Sequence, residues 1–216
     1  MKRFILFGNS PFARLMKYYV EDAGDKVVAF TVDRQYLESD TFCDNPLIAY
    51  EDLGKTQFKN DDILICVGYK NMGEIRKNVF RRLINDGYKI GSFIHRNACI
   101  ASNVEMGIGN IILECVTIQP FAKIGDGNLI WPSALVAHDD TIGDFNTLCG
   151  SASLCGFVNI GNNCFIGNNS TIEDFTEIAD YTLVGAGVYI NRNTKKESVY
   201  ASMRAKKLSV SSLELL

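Results

Sequence analysis

From Ile94 onward an aliphatic residue stands at every sixth position. The series runs Ile94, Ile100, Met106, Ile112, Ile118, Ile124, Ile130, Val136, Ile142, Leu148, Leu154, Ile160, Ile166, Ile172, Ile178, Val184 and Ile190, seventeen positions without a miss. A period of six does not suit an α-helix, because successive repeats would point in different directions around its axis. It suits short strands, whose side chains alternate with period two, joined by turns. Such a repeat predicts a parallel β-helix with the aliphatic residues stacked inward as columns. Glycine often follows the aliphatic residue, as at Gly107, Gly125, Gly143, Gly161, Gly167 and Gly185, and is read as the corner residue. The fourth position after it is often small: Ala122, Ala134, Ala152, Cys164, Ser170 and Thr176. Each coil touches only its neighbours, so both ends need covering. The N-terminal domain is expected over one end and the segment after Asn191 over the other.

The first part of the chain has a different pattern. Residues 2–8, 26–32 and 61–68 read as strands, and residues 89–94 (KIGSFI) as a last one. Residues 11–23 carry Phe12, Leu15, Met16, Tyr19 and Val20 at helical spacing, with Ser10 as N-cap and Pro11 at the first helical position. Residues 71–87 form a second amphipathic helix ending near Gly87. The alternation predicts a small Rossmann-like α/β domain with a parallel sheet. The expected division is an α/β domain over 1–92, an all-β β-helix over 93–193 and a capping tail over 194–216.

In such domains the first strand-to-helix turn binds phosphate. Here it reads Gly8-Asn9-Ser10-Pro11, with only the first glycine of the usual three, and Asp33 ends the second strand where a ribose-binding acid would sit. Gly8, Asn9, Ser10 and Asp33 are therefore the candidate substrate-binding residues. The alternative is a docking domain that binds no nucleotide.

Composition narrows the classes. A net charge of -3 gives no reason to expect nucleic acid or an anionic membrane as partner. The N-terminal apolar run, Phe4 to Phe7, is too short for a secretion signal, and no stretch approaches the roughly 20 apolar residues of a membrane span. Seven cysteines with no CxxC pair read as reduced thiols, which places the chain in the cytoplasm by expectation.

Only two histidines occur, His95 and His138. His95 stands at the domain junction and is read as structural. His138 follows Val136 by two, a corner rather than a core position, so its ring is expected to point outward beside Asp139. Acyl transfer to an amine or hydroxyl needs a base for the acceptor's proton, which imidazole supplies at neutral pH. A carboxylate on its other nitrogen fixes the tautomer and stabilises the imidazolium.

These residues carry a family resemblance. The hexads resemble those of the hexapeptide-repeat acyltransferases, whose left-handed β-helix takes eighteen residues per coil. The whole chain is similar to the sugar acetyltransferases of the sialic-acid and bacillosamine type, whose motif is a histidine and an acid shortly before Ile-Gly-Asp or Ile-Gly-Glu. His138-Asp139 followed by Ile142-Gly143-Asp144 matches it. The resemblance implies acetyl-CoA as co-substrate, a homotrimer with active sites between subunits, and Gly156, eighteen residues past His138, as a backbone donor to the thioester carbonyl. Three positions depart from the family. The glycine-rich loop is replaced by Asn9-Ser10-Pro11-Phe12, a second histidine is Thr147, and Gly-x-Pro-Ala-Lys reads Ser202-Met203-Arg204-Ala205-Lys206. Lys195, Lys196, Arg204, Lys206 and Lys207 form a basic run suited to coenzyme A phosphates, or else a solvated tail; Lys195, Arg204 and Lys206 are the candidates for that contact.

The expected activity is transfer of an acetyl group to the amine of a nucleotide-linked amino-deoxysugar for a surface glycan. Transfer to a sugar hydroxyl is the alternative, and a non-catalytic β-helix scaffold or binding subunit is the alternative of another class. A zinc enzyme of the carbonic-anhydrase type needs three gathered histidines, and His95 and His138 are 43 residues apart, not a multiple of eighteen, so no metal is expected.

Overall fold

The computed structural model describes residues 1–207, 209, 210 and 213. Its N-terminal part runs β1 (Arg3–Phe7), α1 (Pro11–Asp22), β2 (Lys26–Val32), β3 (Thr41–Phe42), β4 (Asn45–Ala49), α2 (Tyr50–Leu53), β5 (Asp62–Ile65) and α3 (Glu74–Asn85). The sheet order is β3-β4-β2-β1-β5, parallel except for β3. The Ser10 hydroxyl accepts from the Ala13 N–H at 3.4 Å, with Pro11 opening α1 as the sequence predicts. The hairpin β3–β4 and the helix α2 have no strong pattern in the sequence and were not expected. The strand expected over 89–94 is divided: Ile90 makes an isolated bridge to Ile63, while Phe93–Ile94 already belongs to the first coil.

Seventeen two-residue strands follow, from Phe93–Ile94 to Tyr189–Ile190, one per hexad. They stack in three parallel sheets, each strand pairing with the one eighteen residues on, as in Leu129↔Thr147 and Ile130↔Leu148. The result is a left-handed β-helix with a triangular section. The first sheet contains Ile111–Ile112 and Leu129–Ile130, the second Thr117–Ile118 and Leu135–Val136, and the third Lys123–Ile124 and Thr141–Ile142. The aliphatic columns fill the bore: Ile112, Ile130, Leu148, Leu154, Ile166 and Ile172 are each at most 1% exposed. Complete burial of such a side chain contributes about 1.5–3 kcal/mol.

Two expectations need correction. The tight corner is made not by the residue after the aliphatic one but two positions later. Phe121, Asp139, Phe157 and Phe175 hold positive φ there, between 54° and 68°. The glycine column serves a different end. A Cβ on Gly125 would lie 2.8 Å from the Gly143 carbonyl, so glycine is required by the closeness of the neighbouring coil. The N-terminal domain, in turn, lies on the flank of the prism rather than over its end. Ile111, Leu113 and Leu129, on the outer face of the first sheet, pack with Phe4, Met16 and Val20, and Phe145 meets Phe80 edge to face at 5.2 Å. Ile94, at the uncovered end, is 47% exposed. At the other end Val199–Tyr200 adds a strand to the first sheet.

Arg76 on α3 fixes the docking. Its guanidinium is 1% exposed and donates to the carbonyls of Gly127 and Phe145 at 2.8 Å, Asn146 at 3.1 Å and Gly68 at 3.0 Å. One side chain thus ties α3 and the loop after β5 to two successive coils.

Candidate active site

His138 stands on the corner between the second and third sheets, after Leu135–Val136 and before Thr141–Ile142. Its side chain is 51% exposed, and Nδ1 is 3.0 Å from Asp139 Oδ2. Positive φ at Asp139 turns the chain so that the carboxylate returns to the imidazole. The backbone N–H of His138 donates to Gln119 Oε1, one coil above, at 3.1 Å. The ring packs edge to face on Phe157 at 5.2 Å, and Phe157 stacks on Phe175 at 4.9 Å. The imidazole is therefore held by a carboxylate and an aromatic floor, and its backbone is tied to the coil above.

Gly156 lies one coil below. A Cβ there would be 3.4 Å from His138 Nε2, and its φ of +119° is one that side-chain-bearing residues rarely adopt. Among the described residues its N–H has no hydrogen-bond partner. The structure thus brings together His138, Asp139 and Gly156. Sequence reasoning passed over a fourth residue in the same loop. Asp140 points into the bore, fully buried, and accepts from the N–H of Ala137 at 2.7 Å and of Val158 at 2.8 Å. Burial pushes its carboxyl up to about 6, against the pull of those two donors. The sequence signal was position: Asp140 occupies the small-residue column that holds Ala122 and Val158 one coil to either side.

Gly8, Asn9, Ser10 and Asp33 line a second cavity of about 230 Å³ at the C-terminal ends of β1, β2 and β5, with Tyr36, Cys66 and Ile75 opposite. Asn9 Nδ2 donates to the Tyr36 carbonyl at 3.1 Å. Asp33 is ion-paired with Arg82 through Oδ1 at 2.5 Å. Arg82 lies over the Tyr50 ring at 4.2 Å. Lys195, Arg204 and Lys206 are exposed beyond the last coil and are not drawn to His138. His95 packs edge to face on Tyr19 at 5.5 Å, a structural place at the domain junction, and Trp131 packs on Phe12. The cysteines are all free. Among the described residues no helix is long and apolar enough to cross a membrane.

The comparisons with known proteins agree with this architecture. Residues 157–192 match the model of the bacterial transferase hexapeptide (six repeats). The chain is similar to a mutant GDP-perosamine N-acetyltransferase from Caulobacter crescentus solved with CoA and GDP-perosamine, at 20% identity over 92% of this chain and 93% of that one, with a TM-score of 0.83. It is equally similar to the acetyltransferase domain of PglB from Neisseria gonorrhoeae in complex with acetyl coenzyme A, at 20% identity, 96% and 99% coverage and a TM-score of 0.83. WeeI from Acinetobacter baumannii matches at 20% identity, 92% and 96% coverage and a TM-score of 0.80. At this identity the likeness is one of fold: a small α/β domain docked on a left-handed β-helix, of which residues 157–192 match the bacterial transferase hexapeptide.

Proposed function

We propose that the protein transfers an acetyl group from acetyl-CoA to the amine of a nucleotide-linked amino-deoxysugar, with His138 as general base. The observation that carries this reading is the grouping of an imidazole, its carboxylate partner and an unpaired backbone N–H one coil below. As the sugar nitrogen attacks the thioester carbonyl, His138 Nε2 takes the nitrogen's proton and Asp139 stabilises the imidazolium. The Gly156 N–H meets the negative charge that develops on the carbonyl oxygen. Collapse breaks the carbon–sulfur bond, and the proton held by His138 leaves with the thiol. The products are the amide and coenzyme A.

The substrate class is supported by the cavity of Gly8, Asn9, Ser10 and Asp33, where the helix α1 begins and favours phosphate. It is supported also by the GDP-perosamine held by the similar Caulobacter protein. That cavity belongs to the domain docked on the first sheet, whereas His138 is on the corner opposite, across a prism side of roughly 20 Å at six residues. A nucleotide held in one subunit would therefore present its sugar to His138 of a neighbour, which favours a homotrimer. Lys195, Arg204 and Lys206 lie free for coenzyme A phosphates.

The test is to mix the protein with acetyl-CoA and a panel of amino and hydroxy sugar nucleotides, and to measure free thiol and product mass. Thiol release matched by an acetylated amino sugar supports the proposal. Acetylation confined to hydroxyl sugars would move the assignment to O-transfer, and no release with any sugar would favour a scaffold.

A further inference from the structure

One rung of the β-helix ladder is missing at the corner that carries His138. At every other level of this corner the N–H after the aliphatic residue donates to the next coil: Gln119 to the Val136 carbonyl at 2.9 Å, Cys155 to Ile172 at 3.1 Å and Glu173 to Ile190 at 2.8 Å. The same pattern predicts a bond from Ala137 to the Leu154 carbonyl. Instead the Ala137 N–H turns inward to Asp140 Oδ2 at 2.7 Å. Strand pairing at this level is accordingly reduced to the single match Leu135↔Ser153, where neighbouring levels have two.

We propose that Asp140 is a positioning residue: by drawing the Ala137 N–H out of the ladder it sets the corner from which the His138 imidazole faces Gly156. The asparagines at equivalent inward positions show what the carboxylate changes. Asn110 Oδ1 accepts from the next coil's Asn128 N–H at 2.8 Å, as Asp140 Oδ1 accepts from Val158. The other end of Asn110 is a donor, bonding the Gly107 carbonyl at 3.1 Å. An amide at 140 would therefore satisfy Val158 while its N–H turned to the Ala137 carbonyl, as Asn110 does to Gly107, leaving the Ala137 N–H to the ladder as at Gly107. Only a carboxylate accepts from both. Below this residue the coil departs from regularity in the same place: Gly156 holds φ +119°.

The charge on Asp140 opposes its own burial, as the rise of its carboxyl to about 6 records. The titratable groups that face it are His138 and Asp139 of its own loop and the Cys155 thiol on the next coil; Ala122 and Val158, on the coils to either side, are apolar. A carboxylate retained in the bore at a cost to folding, beside an exposed imidazole, fits a functional role better than a structural one.

The catalytic arm of the test rests on the acetyl-transfer reading; the spectroscopic arm does not. Asp140→Asn is expected to lower kcat at least tenfold with KM for both substrates within twofold, and to keep or raise Tm. In the wild-type protein the Ala137 amide proton is expected downfield and shifting with a midpoint near pH 6. In Asp140→Asn it is expected at a ladder position with no such titration. Unchanged kcat in the folded variant would overturn the proposal. So would a drop in Tm with kcat and KM lost together, which marks an ordinary core residue. A wild-type Ala137 amide that does not titrate overturns it without any activity assay or any variant. Absent thiol release in the wild type would remove the acetyl-transfer reading and leave the amide test standing.

Discussion

His138 Nδ1 and Asp139 Oδ2 are 3.0 Å apart although adjacent residues seldom turn their side chains toward each other. The positive φ of Asp139 makes that contact, and the same corner geometry recurs at Phe121, Phe157 and Phe175 with phenyl groups in its place. The fold thus supplies the turn, and the sequence places a carboxylate at one level of it.

Replacement of that carboxylate separates charge from shape. Asp139→Asn keeps the size but offers no charge to an imidazolium. Because the pair is partly exposed, solvent shares its role, and kcat is expected to fall about tenfold to a hundredfold, less than for a buried triad acid. Steady-state kinetics with KM unchanged would bear this out; full activity would assign Asp139 to the turn alone.

Gly156→Ala tests the space beneath the imidazole. The new methyl would meet His138 Nε2 at 3.4 Å and force a φ of +119° on a side-chain-bearing residue. Loss of about 1–3 kcal/mol of stability is expected from the backbone alone. A fall in kcat larger than that destabilisation explains, in protein shown to be folded by circular dichroism, is the expected outcome.

The docking of the two domains has its own test. Arg76→Ala leaves buried carbonyls of Gly127, Phe145 and Asn146 without their donor and opens a cavity. A loss of about 3–5 kcal/mol in denaturant unfolding is expected. Ile160→Ala, deep in the bore at 1% exposure, is expected to cost about 2–5 kcal/mol, whereas Ile94→Ala at the uncovered end is expected to cost much less.

The pH dependence of stability follows from Asp140. Its carboxyl rises from 3.8 to about 6 on folding, so the native state holds the proton more tightly than the unfolded chain. That contribution is fully present below pH 3.8 and is lost as pH rises through about 6. Relative to Asp140→Asn, the wild-type protein is therefore expected to lose up to about 3 kcal/mol between pH 4 and pH 7. Tm compared at both pH values measures it, and parallel curves would contradict it.

The β-helix was legible because its core obeys one spacing through seventeen aliphatic residues, and burial tolerates no exception in the middle of the stack. His138 was legible because histidine is scarce and the corner position follows from Val136. The corner itself was misread. Many of its positive-φ residues are Phe, Ser, Cys and Tyr, types that do not announce a left-handed turn, while the glycines directly after the aliphatic column, such as Gly125 and Gly143, are there for the closeness of the next coil. Asp140 was hidden in an acidic pair that reads as solvated loop. The flank docking through Arg76 depends on contacts 51 to 70 residues apart, which no local pattern records.

The proposed function requires that His138 take the acceptor's proton. The measurement is thiol release from acetyl-CoA, with an accepted sugar nucleotide, by wild-type protein and by His138→Ala of equal Tm. A fall of at least about a hundredfold is expected, in line with the contribution of a general base. Equal rates in the two proteins would contradict the account.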